Sequence, residues 1–180
     1  MRLKLVAIMN DLFQRSRQFF ESGDIPKTLE TYEKAISSIN HSEDSGKYIN
    51  FLSKLLKHCR EHNLQEEEAI VLRDMGRTYS VFKQYVESLK HHWLSLKIQR
   101  KLGKKIEIAQ GLMFIAEDLE VRGDYDESIE SYEEAMQIFK TLGKEDEVSM
   151  ISKKLKKLED FSKEALEEEF IRSKFNIDDY

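Results

Sequence analysis

The residues best suited to chemistry are His58-Cys59-Arg60-Glu61-His62. They match H-x-x-E-H, a pattern that holds zinc in some hydrolases. On a helix, positions i and i+4 share a face, so His58 and His62 could hold one metal, with Glu61 nearby as base. The competing reading is a solvated helix end. It is favoured because the surroundings read as helical throughout and no third ligand stands in a suitable place. His91-His92-Trp93 is a second histidine pair, but neighbours on a helix point about 100° apart and do not chelate. His92 is expected in a seam between helices, with Trp93 partly buried beside it. Lys153, Lys154, Lys156 and Lys157 form a basic cluster, expected to be a solvated face balanced by Glu164 and the glutamates at 167–169. No glycine-rich phosphate loop and no Ser-His-Asp grouping can be assembled. A non-enzymatic protein is expected, with no cofactor and no metal.

The elements that carry these residues follow from hydrophobic spacing. Between Lys105 and Gly143 two amphipathic helices meet at Gly123-Asp124. The first has Ile108, Leu112, Ile115, Ala116 and Leu119 on one face; the second has Tyr125, Ile129, Tyr132, Ala135, Met136 and Phe139. Gly123 suits a positive φ that closes the first helix, and Asp124 suits the cap of the second. Forty residues earlier the pattern recurs: Ala69, Leu72, Tyr85, Ser88, Ile98, Leu102 and Gly103 correspond to Ala109, Leu112, Tyr125, Ser128, Ile138, Leu142 and Gly143. Gly76 stands at the small-residue position of Ala116, and Lys83 at the hinge position of Gly123. GDIPKTLETYEKAI, from Gly23, parallels GDYDESIESYEEAM, from Gly123.

These residues resemble the tetratricopeptide repeat (TPR) family, carried by Leu112, Ile115, Ala116, Leu119, Gly123, Tyr125, Ser128, Tyr132 and Ala135. The period of forty is longer than the family's usual period of about 34 residues. Ser128 stands where the family usually has Ala. The resemblance implies an all-α fold: a right-handed α-α superhelix of about eight helices in one domain over 1–180. Repeats are expected at about 9–42, 69–103 and 109–143, with an extra helix at 47–62 and a capping helix at 145–170. The hinges at Gly23 and Gly123 lie two and a half periods apart. Either 47–62 is an insert or the helix at 2–21 is a cap and the pairing is offset; the insert is preferred, because 9–42 matches the motif better.

The resemblance further implies a scaffold that binds other proteins through the first helix of each pair. Carried over position by position, the groove residues are Arg73, Asp74, Arg77, Gln110, Met113, Phe114, Glu117, Lys153 and Lys157. Phe114 and Met113 between basic pairs suit an acidic segment or peptide with an apolar anchor, and the chain's own tail from Phe175 to Tyr180 has that composition. The family's chaperone-type carboxylate clamp is not reproduced: Phe13, Arg17, Asp74, Gln110 and Phe114 occupy its positions. The alternative function is self-association, as a homo-oligomer formed through an end helix, most plausibly 2–21 with Phe13, Phe19 and Phe20.

Composition bounds the rest. The chain has 180 residues, 35% of them charged, with a formal charge of −5, which argues against general nucleic-acid binding. Cys59 is the single cysteine, which fits a reducing, cytoplasmic setting. The N-terminal apolar run is broken by Asp11 and Arg15, and no stretch approaches transmembrane length, so no membrane association is expected.

Overall fold

A computed structural model describes residues 2–175; the side chains of 2–11 and of several residues after 161 lie outside the description, as do residues 176–180 of the tail. Eight α-helices make up the described chain: α1 (Arg2–Glu21), α2 (Ile25–Ile36), α3 (Ser45–Glu61), α4 (Gln65–Val81), α5 (Tyr85–Leu102), α6 (Lys105–Arg122), α7 (Tyr125–Thr141) and α8 (Glu145–Phe175). The all-α helical-repeat fold expected from the sequence is the one observed. By contacts the chain divides into two compact units, Met1–Gly111 and Leu112–Tyr180, with the division inside α6.

The helices are punctuated at a regular interval. Positive φ occurs at Gly23, Asn63, Lys83, Gly103, Gly123 and Gly143, every one a multiple of twenty residues from the next. After each of them a backbone N–H reaches back five residues: Asp24 to Phe19, Leu64 to Cys59, Gln84 to Tyr79, Lys104 to Gln99, Asp124 to Leu119 and Lys144 to Phe139, at 2.9–3.1 Å. This is the bond that closes a helix over a left-handed residue. Lys83 adopts φ 58° where the neighbouring repeat has Gly123 at 88°, so a side chain is held there at some cost. The one departure from the series is the connection from α2 to α3. There α2 ends early at Ile36, and Asp44 caps α3 by accepting the Gly46 N–H at 2.9 Å.

Longer-range pairing follows a second rule. Ser88 Oγ donates to the Gly76 carbonyl and Ser128 Oγ to the Ala116 carbonyl, both at 2.8 Å. At the matching pair in the first hairpin, Ser16 Oγ donates to the Thr28 carbonyl at 2.9 Å. In all three the separation is twelve residues, and the site is buried. A small residue on the first helix lets the backbones approach, and the hydroxyl meets a partner without water. This explains why Ser128 and Ser88 stand where the TPR pattern usually has Ala. The contact marks α1/α2, α4/α5 and α6/α7 as equivalent hairpins. From Ser16 to Gly76 is sixty residues, an odd number of twenty-residue steps, so α3 keeps the helix interval while shifting the pairing by half a repeat.

In the first unit the core is aromatic where α1, α2 and α3 meet. Phe13 packs on Tyr32, Tyr48 and Phe51, at ring distances of 6.2, 4.6 and 5.6 Å, and Phe20 packs on Phe51 and His58 at 5.9 and 5.6 Å. The order of these contacts shows α1 and α3 running in the same direction. Phe13 is therefore buried beneath α3, and in the described part of α1 it is not available as a dimer surface; Leu5, Ile8 and Met9, expected on the same face, lie outside the described side chains. In the second unit Ile151, Leu155 and Leu158 of α8 are buried with Tyr132, Ala135 and Phe139 of α7. Phe161, three residues beyond Leu158, is exposed. The reason is length: α7 has 17 residues and α8 has 31, so α8 runs on past its partner. Ala165 and Leu166 lie outside the described side chains. Trp93, expected in a seam, is 48% exposed, because His92 already takes the inward position.

Candidate functional site: a buried charge network

The run Ala69–Gly76 of α4 is buried except for Ile70, yet it contains Arg73 and Asp74. Asp74 is wholly buried, and Arg73 is 8% exposed. Arg73 Nε and Nη2 both donate to Asp74 Oδ1, at 3.1 and 3.0 Å. Asp74 Oδ2 accepts no hydrogen bond among the described residues. Glu33, which reaches this site from α2, completes the network. Its Oε1 lies 3.1 Å from Arg73 Nη2 and 3.2 Å from Arg77 Nη1, and its side chain is 49% exposed. One carboxylate oxygen thus bridges two guanidinium groups at the edge of solvent. Beneath it, Tyr32 Oη lies 3.0 Å from Thr78 Oγ1, and Thr78 donates to the Asp74 carbonyl at 2.7 Å.

Burial dominates the electrostatics. It pushes the Asp74 carboxyl up to about 6, against the pull of Arg73 and Arg77. Burial also works against the Arg73 charge, but Asp74 and Glu33 outweigh it and raise its pKa. His92, on α5, is pushed down to about 3 by burial and by the arginine and His91 charges, so it is neutral. Its ring lies over Gly76: a Cβ placed there would sit 2.6 Å from the ring. Gly76 is thus a glycine for want of space, while Ala116 fits a Cβ at the same position.

The residues expected to line a groove fall into two groups. Arg73, Asp74, Arg77 and Gln110 belong to the first unit. Of these, Gln110 is exposed, Arg77 is half-buried, and Asp74 is out of reach of any ligand. Its burial follows from the packing of α2 on α4, which covers that face. In the second unit Met113, Phe114 and Glu117 are half-buried and Lys153 and Lys157 are exposed. There the inward position is taken by Lys154, which was assigned to a solvated face. Lys154 Nζ donates to Glu117 Oε1 and to Tyr132 Oη, both at 2.9 Å. Burial opposes its charge, but these bonds outweigh it and raise its pKa, while burial lifts the Tyr132 phenol to about 12. Lys157 lies over the Phe161 ring at 5.6 Å. Glu33 is the member of this network that the sequence reading missed. Its signal was indirect: charges inside the apolar run of α4 require an internal partner.

The His58/His62 pair does not converge on a common point. The rings stack at 4.1 Å, His62 Nδ1 lies 2.9 Å from the His58 carbonyl, and Glu61 pairs with Lys57 at 3.7 Å. Cys59 is buried, and burial pushes its thiol up to about 11, which keeps it protonated. Among the described residues no three His, Cys, Asp or Glu side chains gather in a metal-binding arrangement, and no helix is long and apolar enough to cross a membrane.

No family model matches the sequence, and no curated protein does. Among solved structures the chain is similar to BtubC (BKLC) from P. vanneervenii, with a TM-score of 0.50 and 15% identity over 88% of this chain and 57% of that one. It is also similar to the apo form of RapI, with a TM-score of 0.44 and 15% identity over 87% of this chain and 64% of that one. The chain spans less than two thirds of the length of both structures. The class defined by the twenty-residue turns, the hairpin contact and the likeness in fold to BtubC is an all-α helical-repeat protein.

Proposed function

We propose that this chain is a non-catalytic, TPR-like scaffold that binds an acidic segment of a partner protein at the Arg73–Arg77 edge of α4. The observation that carries the reading is Glu33, an exposed carboxylate bridging both arginines. A ligand carboxylate has the same chemistry and can take its place, with Asp74 holding Arg73 in position from behind. A cytoplasmic setting belongs to it as well, since the single cysteine, Cys59, leaves no intrachain disulfide to form. The test is selection from a random peptide library on the full chain. Enrichment of acidic peptides that is lost in Arg77→Ala supports the reading; enrichment of basic peptides, or none, removes it.

Self-association is a second reading, favoured by the exposed Phe161, Phe170 and Ile171 of α8 rather than by α1. Light scattering that gives a monomer mass at high micromolar concentration removes it.

A further inference from the structure

The cleft between α1 and α3 lies away from the arginine network. It has a volume of about 360 Å³ and is lined by Arg17, Phe20 and Glu21 of α1 and by Lys47, Asn50, Phe51 and Lys54 of α3. That volume lies at the low end for binding pockets, which run from about 300 to 1,000 Å³. The floor is aromatic and fixed. Phe20 and Phe51 meet edge to face, Phe51 is backed by Phe13 and Tyr32, and Phe20 by His58. The rim is positive in a chain whose net charge is negative. Arg17 and Lys54 are exposed; Lys47 is tied to Glu43 at 2.5 Å, and Glu21 is the one acid in the lining.

We infer that this cleft is a second docking site, for an extended acidic segment of another protein carrying one large apolar side chain. The apolar side chain meets Phe20 and Phe51, a floor already ordered before binding. The acids meet Arg17 and Lys54 on the rim, where the Asn50 amide also lines the cleft. Charge spacing favours a peptide over a phosphate compound. Arg17 stands on α1 and Lys54 on α3, so the two cations come from opposite walls of the cleft and can meet separate acids along a chain. A phosphate gathers its charge at one point and needs donors converging there.

The experiment is fluorescence anisotropy on the full chain. The probe is a labelled peptide with one phenylalanine flanked by two aspartates on each side; the control has lysines in place of the aspartates. Binding of the acidic peptide is expected, weakened at least tenfold in Arg17→Glu/Lys54→Glu and also when alanine replaces the phenylalanine of the peptide. Both rim residues are exposed, so an unchanged melting temperature confirms that the fold survives. Phe20→Ala provides a second variant that weakens binding without changing rim charge. The inference is overturned by no binding, by equal binding of the lysine peptide, by affinity unchanged in the rim variant, or by displacement with micromolar ATP. The α4 reading is separable: Glu33→Gln alters binding there and leaves this cleft unchanged.

Discussion

The hairpins α4/α5 and α6/α7 share a hydroxyl-to-carbonyl contact at the same spacing but fill the space around it differently. In α4/α5 the small residue is Gly76, the inward side chain is His92, and a buried Arg73–Asp74 pair lies on the same helix. In α6/α7 the small residue is Ala116 and the inward side chain is Tyr132, whose hydroxyl reaches a half-exposed Lys154–Glu117 pair. The backbone arrangement is kept in both, and each buries a carboxylate, Asp74 or Asp118; what changes is the ion pair, buried in the first and half-exposed in the second. A buried pair is costly to break and a half-exposed one is not, so equivalent substitutions should have unequal effects.

The largest difference is expected between Arg73→Ala and Lys154→Ala. The first leaves Asp74 buried without its closest cation and should cost about 3–5 kcal/mol. The second removes a half-exposed partner and should cost about 1 kcal/mol or less. Chemical denaturation of both variants checks this, and equal losses would mean that the two pairs are buried alike.

Next is the pH dependence of the first unit. Asp74 has a raised pKa when folded, so its contribution is fully present below about 4 and is lost as pH rises through about 6. His92 has a depressed pKa, so its contribution is present above about 6.5 and is lost as pH falls toward 3. The two oppose each other on acidification. Asp74→Asn removes one side, so stability should fall more steeply between pH 6 and 4 in the variant than in the parent. The extra loss should be on the order of 2 kcal/mol over that range. Denaturant midpoints measured across that range decide it; parallel curves would show that Asp74 does not titrate there.

A smaller effect is expected from Gly76→Ala, which drives a methyl group into the His92 ring and should cost about 1–3 kcal/mol. Ala116→Gly, the reverse change in the other hairpin, should cost about 1 kcal/mol from backbone freedom alone. Thermal melts of both variants sharpen the comparison. A Gly76→Ala protein that melts with the parent would place His92 elsewhere.

Much of this architecture was legible in the sequence. Helix existence followed from apolar spacing, and Gly23, Gly103, Gly123 and Gly143 marked turns directly. Lys83 marked a further turn only through its match to Gly123, and Asn63 hid another, because a side chain there conceals the left-handed conformation that glycine advertises. The twenty-residue interval was therefore visible as helix count but not as a strict series. Position-by-position transfer from the TPR pattern pointed to Arg73 and Arg77. It could not show that Glu33, forty residues away on α2, bridges them, because a charged partner at that separation leaves no periodic trace. The same transfer named Lys153 and Lys157, whereas Lys154 turns inward; one residue on a helix is about 100°, so a small error in register exchanges an exposed face for a packed one.

The role of Glu33 as the internal occupant of the ligand position is tested most directly by calorimetric titration of an acidic peptide enriched on the full chain and sensitive to Arg77→Ala, into the parent and into Glu33→Gln, at low and high salt. Removing the internal competitor should tighten binding several-fold at low salt, with the gain shrinking as salt rises. Unchanged or weaker binding by Glu33→Gln would contradict the account, because Glu33 would then be a structural bridge and not the stand-in for a ligand carboxylate.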